Sequence, residues 1–342
     1  MEKRNIYIIA AISLVLILSL LYYLVKVKGF SLTKKRTIVT KYYEKQIFYP
    51  SLKTDKLYFV GSDQKTIFYF DLQTNNITTF ATSSSNIKNV IWSSDRQRLA
   101  VKTKDENQDY FRTWVYNNQN KKFQQLSDNI LALTWSSDNK KIYYNFFKAT
   151  EEYDPNMINS LNISEPDGTN WEKLYDFKME PPKNVIAGPD GVILIATETS
   201  GYQKNDILIF DTATRQLTNI TNDGFVKDGA WSPGYKYVYY ESGENNPKIY
   251  FIDFQTKQKQ TIELDTALNK FAVNDSGKNV IAAMPGKNGD DFYKINIETG
   301  KKTLLYKSTS KDNFDATNLM LSEDGKTLYF TSSDILYKMS IK

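Results

Sequence analysis

The sequence predicts an all-β protein, a seven-bladed β-propeller preceded by a single N-terminal transmembrane helix. Two observations carry this prediction. A phrase that combines a turn with a strand recurs seven times between residues 49 and 321, at spacings of 42 to 52 residues, and four-stranded units of about that length are typical of propeller blades. Ahead of the repeats, residues 6–25 form a run without a charged side chain, long enough to cross a bilayer.

The first predicted element is the membrane helix, Ile6–Val25. At about 1.5 Å per residue it extends about 30 Å, the thickness of the hydrocarbon core. Basic residues flank the run at Lys3 and Arg4 and again at Lys26 and Lys28, as in membrane anchors. A buried core helix and a cleaved signal peptide are the alternatives, but no A-x-A-like cleavage site follows the run. We therefore expect an uncleaved anchor that holds the protein to the membrane.

Charge is concentrated next to this run. Residues 1–36 carry seven basic side chains and one acid, a net charge of +6, whereas the whole chain carries +5. The remaining residues are therefore nearly neutral at −1, and nucleic acid is not an expected partner. Five of the seven basic residues follow the run and two precede it, which by the positive-inside rule alone would place the following domain in the cytoplasm.

The propeller follows from two recurring phrases. The first is WSSDRQRLAV from Trp92, WSSDNKKIYY from Trp135 and WSPGYKYVYY from Trp231. In each, a strand ends in a bulky residue, a polar turn follows and a second strand begins. Weaker copies begin at Tyr49, Ala187, Val273 and Leu321. We expect the three tryptophans to pack between blades, where an aromatic ring buries a large apolar area.

The second phrase supplies the outer strands. An Asp or Asn closes one strand, and a Thr follows three residues later, a pattern that predicts an Asx-type turn between antiparallel strands. These positions are Asp71, Asp211, Asp253 and Asn296, with Thr74, Thr214, Thr256 and Thr299.

The last repeat leaves room for only three strands before Lys342. Residues 37–43 read as a strand and can supply the fourth, closing the ring and protecting its open sheet edges. The predicted organisation is therefore an anchor over residues 1–28, a basic linker over 29–36 and a propeller over 37–342.

The repeats resemble those of TolB-type propellers. The resemblance lies in NDGFVKDGAWSPGYKYVYYESGENNPKIYFIDFQTKQKQTI, which is similar to the family's W-S-P-D-G turn, strand, variable loop and I-Y-x-x-D-x-x-T-G. Blades 1, 4, 6 and 7 depart from it, since their Trp is replaced. The resemblance implies an exported binding or scaffolding module, or the regulatory part of a peptidase. We therefore expect the propeller on the extracytoplasmic side of the membrane.

Composition excludes several chemistries. The chain has no His and no Cys, so it cannot use a Ser-His-Asp triad, a thiol nucleophile or a thiolate metal site. Short motif matches at Ser137–Lys140, Gly325–Thr327 and Asp105–Asp109 lack the partners or glycines that their functions need. We expect neither a cofactor nor a metal, and no enzymatic activity.

The leading hypothesis is a non-enzymatic protein-binding or scaffold module of the cell envelope. Binding residues in propellers usually lie on the loops, and the longest loop insertion is residues 148–157 in blade 3. Its mixture of acids and aromatics suits an interface with a protein or another envelope component. The candidate partner-binding residues are Phe147, Glu151, Glu152, Tyr153 and Asp154. Further loops are residues 102–110, 241–247, 285–291 and 307–317.

The alternative is a carboxylate-based glycoside-acting or carbohydrate-binding propeller. In that chemistry one acid protonates the leaving group while another attacks or activates water, so His is unnecessary. No sequence motif pairs two of the 39 acids. Two carboxylates about 5–10 Å apart in a central pocket, one with a raised pKa, would favour this alternative.

Overall fold

The computed structural model describes residues 37–105, 110–149, 157–178, 180–197, 205–221, 224–243, 248–260, 262, 264, 266–274 and 277–341. The chain divides into two units, Met1–Ile38 and Val39–Lys342, of which the second is the propeller. The predicted membrane helix Ile6–Val25 lies outside the described residues. Within the ranges above, no helix has the length and apolar character needed to cross a bilayer. Membrane anchoring therefore stays a prediction without structural support.

The described part of the chain forms 28 strands in seven four-stranded antiparallel sheets, which confirms the seven-bladed propeller. Blades 1 to 3 consist of β2 (Ile47–Lys53), β3 (Lys56–Gly61), β4 (Thr66–Asp71) and β5 (Ile77–Thr82); β6 (Asn86–Trp92), β7 (Arg98–Lys104), β8 (Arg112–Asn117) and β9 (Lys122–Gln125); and β10 (Ile130–Trp135), β11 (Ile142–Lys148), β12 (Ile158–Ser164) and β13 (Glu172–Asp176).

Blades 4 to 6 consist of β14 (Pro182–Ala187), β15 (Val192–Thr197), β16 (Ile207–Asp211) and β17 (Gln216–Asn219); β18 (Val226–Trp231), β19 (Tyr237–Ser242), β20 (Lys248–Asp253) and β21 (Lys259–Gln260); and β22 (Phe271–Val273), β23 (Asn279–Gly286), β24 (Gly289–Asn296) and β25 (Lys302–Tyr306). Short 3-10 helices lie at Pro189–Gly191, Pro233–Tyr235 and Leu268–Lys270.

Blade 7 joins the two ends of the propeller. It contains β26 (Ala316–Leu321), β27 (Thr327–Ser332) and β28 (Ile335–Ser340), and its outer strand is β1 (Val39–Tyr43). Val39 pairs with Met339 in antiparallel register. The strand that the sequence predicted over residues 37–43 is therefore present as β1, and it covers the edge that β28 would otherwise expose.

The two faces of the ring follow from strand direction. In an antiparallel four-stranded blade, the start of the first strand, the end of the second and the start of the third lie at one end. We call this end the upper face, and the end that carries the turns between the first and second strands the lower face. The first strand of each blade lines the central channel, as in propellers generally.

The lower-face turns form as the repeats predicted. In blade 3, the Ser136 hydroxyl donates to Asp138 (2.7 Å) and accepts from the backbone N–H of Lys141 (2.9 Å). Blade 7 repeats the same pair of hydrogen bonds at Ser322. The predicted Asx turns are also confirmed: Asp71 Oδ1 accepts from the backbone N–H of Thr74 at 2.9 Å, and the same bond occurs at Asp211, Asp253 and Asn296.

Successive blades pack through their first strands. Trp135 is 5% exposed, and its indole N–H donates to the carbonyl of Ile91 in the preceding blade at 3.0 Å. Trp231 is 8% exposed and donates in the same way to Ile186 at 3.4 Å. Trp92, which is partly exposed, packs against Tyr58 of blade 1. The expectation that these tryptophans belong to the inter-blade core is confirmed.

Candidate functional site

The upper ends of four inner strands share an irregularity. The pairing register shifts by one residue near the start of β6, β10, β14 and β18, so each strand carries one extra residue without a direct partner. These extra residues are exposed, and three of the four are lysines: Lys88, Leu131, Lys183 and Lys227. The bulges therefore place ammonium groups around the mouth of the channel.

Two lysines reach from one blade to the next at this level. The Lys183 ammonium donates to the carbonyl of Lys227 at 3.1 Å, and the Lys102 ammonium donates to the carbonyl of Leu131. Burial lowers the pKa of Lys102. Both contacts place a positive charge against the wall of the channel mouth.

Two carboxylates stand side by side in blade 5. Asp228 and Glu241 are directly opposed on β18 and β19, and the Cβ atoms of such a pair lie about 4.5–5.5 Å apart. The Glu241 side chain is 12% exposed, and its Oε1 lies 3.8 Å from the Lys227 ammonium. Its Oε2 accepts from the backbone N–H of Leu268, in the next blade, at 3.0 Å. These contacts fix Glu241 at the junction of blades 5 and 6.

Asp228 contacts blade 4, the neighbour of blade 5 on the side opposite to blade 6. Its Oδ1 accepts from the backbone N–H of Gly229 at 2.8 Å and lies 3.5 Å from the amide nitrogen of Asn184 in blade 4. The two carboxylates of blade 5 are therefore linked to blades 4 and 6.

A tyrosine lies beside this pair. Tyr239 lies two residues before Glu241 on β19, so the two side chains lie on the same face of the sheet. Burial, with a smaller contribution from the negative charge of Asp228, raises the pKa of Tyr239 to about 12. Its ring packs edge-on against Phe271 of blade 6, with centroids 4.9 Å apart. Its hydroxyl therefore stays protonated at neutral pH and can donate a hydrogen bond.

A third charged group lies at the junction of blades 6 and 7. The Lys270 ammonium is 2.9 Å from Asp290 Oδ2 and 2.6 Å from Asp315 Oδ1. Burial lowers the pKa of Lys270, but the hydrogen bonds to Asp315 and Asp290 outweigh it and raise the pKa overall. Asp290 Oδ2 also accepts from the backbone N–H of Ala316 at 2.7 Å. These contacts link blade 6 to blade 7.

A cavity lies inside the ring, and none of the charged side chains described above is among its lining residues. It measures about 600 Å³ and is lined by first-strand residues of blades 1, 4, 5, 6 and 7, by Ser232 and the lower-face turn Pro233–Tyr235, and by Tyr239. Most of these residues are apolar, among them Trp231, Phe271 and Met320. Its size is typical of a pocket for a small ligand. Tyr239 belongs to both features, because it lines the cavity and because the negative charge of Asp228 contributes to its raised pKa.

This arrangement can bind a polar ligand and exchange protons with it. The phenol of Tyr239 is a donor, the carboxylates of Asp228 and Glu241 are acceptors, and the lysines can neutralise an acid. Acid-base chemistry needs one group that gives a proton and another that takes one. The raised pKa found here is that of the Tyr239 phenol, whereas the sequence criterion asked for a raised pKa of a carboxyl group.

Among the residues that the structure describes, no group of three or more Asp and Glu side chains is placed to hold an ion, and the chain has neither His nor Cys.

The predicted partner-binding residues are only partly described. Phe147 is half-buried near the end of β11, and its backbone N–H donates to the carbonyl of Asn129 at 2.8 Å. Glu151, Glu152, Tyr153 and Asp154 lie outside the described residues. Recruitment of a partner by the loop of residues 148–157 remains a prediction, as does the absence of a nucleic-acid partner.

Sequence reasoning missed Asp228, Tyr239 and Lys270. Glu241, Asp290 and Asp315 do fall within upper-face loops that the sequence outlined, but nothing singled them out there. One signal was available: Asp228 is an acid within a strand that the repeat predicts to be inner and apolar.

No protein-family model matches the sequence, and no curated protein sequence matches it either. Solved structures do match. An oligogalacturonate lyase in complex with manganese has a TM-score of 0.64 and 13% identity, covering 90% of this chain and 97% of its own. Oligogalacturonate lyase of Vibrio parahaemolyticus has a TM-score of 0.63 and 15% identity, covering 91% and 92%.

Hydrazine synthase of Kuenenia stuttgartiensis also matches, with a TM-score of 0.58, 15% identity and coverage of 91% and 98%. TolB from Acinetobacter baumannii matches at a TM-score of 0.47, with 16% identity and coverage of 90% and 80%, too low to carry an argument. At these identities the comparisons show the fold, the propeller that the TolB resemblance implied.

The comparisons nevertheless correct the functional expectation. Two of these similar structures are lyases that are named for a carbohydrate. The leading hypothesis of a non-enzymatic scaffold module is therefore wrong, the expectation of no enzymatic activity is left without support, and the carbohydrate alternative is favoured.

Proposed function

We propose that this protein is a carbohydrate-acting propeller that binds and cleaves an acidic saccharide at the upper mouth of its channel, between blades 5 and 6. The observation that carries the proposal is the placement of Tyr239 beside the carboxylates of Asp228 and Glu241, with Tyr239 also lining a cavity of about 600 Å³ inside the ring. The fold shared with two oligogalacturonate lyases supports it.

The geometry assigns a role to each group. Glu241 or Asp228 accepts the proton on the carbon next to the sugar's carboxylate, and the electron pair of that C–H bond forms a carbon–carbon double bond. The glycosidic oxygen leaves with the proton of Tyr239. Lys183 and Lys227 neutralise the sugar's carboxylate. This stabilises the negative charge that develops on the adjacent carbon as its proton is removed.

Activity assays on point variants test this assignment. The wild type and the variants Tyr239→Phe and Glu241→Gln would be incubated with oligogalacturonates and with neutral oligosaccharides. Absorbance of the unsaturated product and titration of new reducing ends would both be followed. We expect the wild type to cleave an acidic substrate and each variant to lose about 100-fold or more in kcat.

Tyr293→Phe is the matched control. This tyrosine lies on β24, partly buried in the core of blades 5 and 6, so removing its hydroxyl should leave kcat unchanged. Failure of the wild type to bind or cleave any member of the panel would overturn the proposal, and so would full activity of Glu241→Gln and Tyr239→Phe.

We also propose that residues 6–25 anchor the protein, with the propeller on the extracytoplasmic side. The length and uncharged character of that run support the anchor. Protease added to intact spheroplasts should digest the propeller, and protection there would reverse the orientation.

A further inference from the structure

A second cavity of about 600 Å³ lies outside the channel, between blades 2 and 3. We call it the blade 3 groove. It shares no lining residue with the central cavity. Its floor is blade 3, its far side is the end of β9, and the carbonyl of Asp167 accepts from the Gln124 side chain at 3.1 Å across it. The groove is therefore an independent feature of the ring.

The lining of the groove is layered. Ser160 and Asn162 lie at its floor but are 2% and 3% exposed, and the amide of Asn162 donates to the Ser160 hydroxyl at 3.0 Å. The polar side chains that a ligand can reach include the exposed Gln125, Ser127 and Asp167. Its wall carries the rings of Tyr144 and Phe146. Trp171 stands at its rim with 65% of its surface exposed. The groove thus combines an exposed aromatic ring with exposed hydrogen-bonding side chains.

Exposure of Trp171 sets this groove apart from the packed parts of the ring. Trp135 and Trp231 are 5% and 8% exposed and donate to a neighbouring blade. Ile158, also at the rim, is 45% exposed. An apolar rim around a formed cavity is typical of a binding site, whereas an isolated exposed side chain is not.

The chemistry of the groove matches a neutral sugar. A pyranose ring has a face of C–H groups, which packs on an indole, and an edge of hydroxyls, which binds amides and hydroxyls. The lysine at the rim, Lys173, pairs with Asp176 at 2.8 Å, and the exposed Asp167 also lines the groove, so the lining carries no excess of positive charge. The groove therefore differs from the channel mouth, where lysines favour an acid.

We infer that the blade 3 groove is a second saccharide-binding site, which holds a neutral hexopyranose chain against Trp171. The inference rests on the proposed function, and it adds a site that docks the protein on a polysaccharide away from the point of cleavage.

Calorimetric titration with cellohexaose, mannohexaose and galactohexaose tests the inference. We expect at least one of these sugars to bind the wild type, and Trp171→Ala to weaken that binding by about tenfold. Trp171→Phe should retain part of the affinity. Ile77→Ala, which truncates an exposed apolar residue of blade 1 (42% exposed), is the matched control and should bind as the wild type does.

Glu241→Gln separates this inference from the proposed function. It should lose cleavage of the acidic substrate and keep neutral hexaose binding. Loss of hexaose binding in Glu241→Gln but not in Trp171→Ala would place the sugar at the channel and overturn the inference while leaving the proposed function intact. Absence of hexaose binding in the wild type would overturn it as well. Concentration-dependent dimerisation that Trp171→Ala abolishes would identify a second copy of the chain as the occupant instead.

Discussion

The lower and upper faces of this ring are formed by the same strands, but their residues differ in how far they repeat from blade to blade. On the lower face, Ser136 of blade 3 and Ser322 of blade 7 close their turns with the same hydrogen bonds. On the upper face, the positions next to the bulges of successive blades hold Lys102, Asn145, Ala196 and Glu241. The features that repeat stabilise the fold, whereas the features that differ between blades supply the candidate site.

The largest expected effect on stability comes from comparing two tryptophans of blade 3. Trp135→Ala should lower the free energy of unfolding by about 3–5 kcal/mol, because it opens a cavity between blades and removes the hydrogen bond to Ile91. Trp171→Ala should change it by less than about 0.5 kcal/mol, because the side chain is 65% exposed. Urea unfolding measures both. Equal losses would show that Trp171 belongs to the core.

The next test compares two ion pairs. Lys270→Met removes the cation beside Asp290, which is 6% exposed, and should cost about 1–3 kcal/mol, since Lys270 is itself partly exposed. On the lower face, Lys326 and Asp324 are 3.7 Å apart and largely exposed. Lys326→Met should leave the urea midpoint unchanged. A measurable loss in this control would show that surface charge, and not the upper-face bridge, sets the difference.

A smaller effect is expected in the repeated turn. Ser136→Ala deletes the hydroxyl that joins Asp138 to Lys141 and should cost about 1 kcal/mol. Ser137→Ala alters the adjacent exposed residue and should be neutral in the same unfolding experiment. The assignment of the turn to stability fails if the two variants behave alike.

The smallest expected effect is a loss of stability at low pH that depends on Asp138. Hydrogen bonds from the backbone N–H of Lys140 and from Ser136 lower the pKa of Asp138. A lowered pKa means that the folded state binds the proton less readily, so the stabilisation is complete above the unfolded value of about 4 and is lost as pH falls through the folded value. The stability difference between wild type and Asp138→Asn should therefore shrink between pH 7 and pH 3. A difference that stays constant would contradict this.

The sequence predicted the ring because its turns repeat. Ser136, Asp138 and the Asx-turn residue Asp71 act through hydrogen bonds within a few positions of themselves, and such local chemistry leaves a pattern in the sequence. Blade number, inter-blade tryptophans and the strand that completes blade 7 all follow from that pattern.

The candidate site could not be predicted in this way. Glu241 binds the backbone of Leu268, and Lys270 bridges to Asp315, so the site forms only when different blades meet. Trp171 is likewise distinguished by its exposure, not by its position in the sequence. A single sequence shows which residues repeat from blade to blade, but the residues of the site are those that differ between blades.

The pairing of β1 with β28 also bears on how the chain folds. Contacts between neighbouring blades join residues about one repeat apart, 45 positions in the case of Lys270 and Asp315. Ring closure, in contrast, joins Thr54 to Glu323 across 269 positions. Closing so long a loop costs more entropy and is slow, so we expect an open arc of blades to form first. Pulse-labelling hydrogen exchange should then show the amides of β28 gaining protection last.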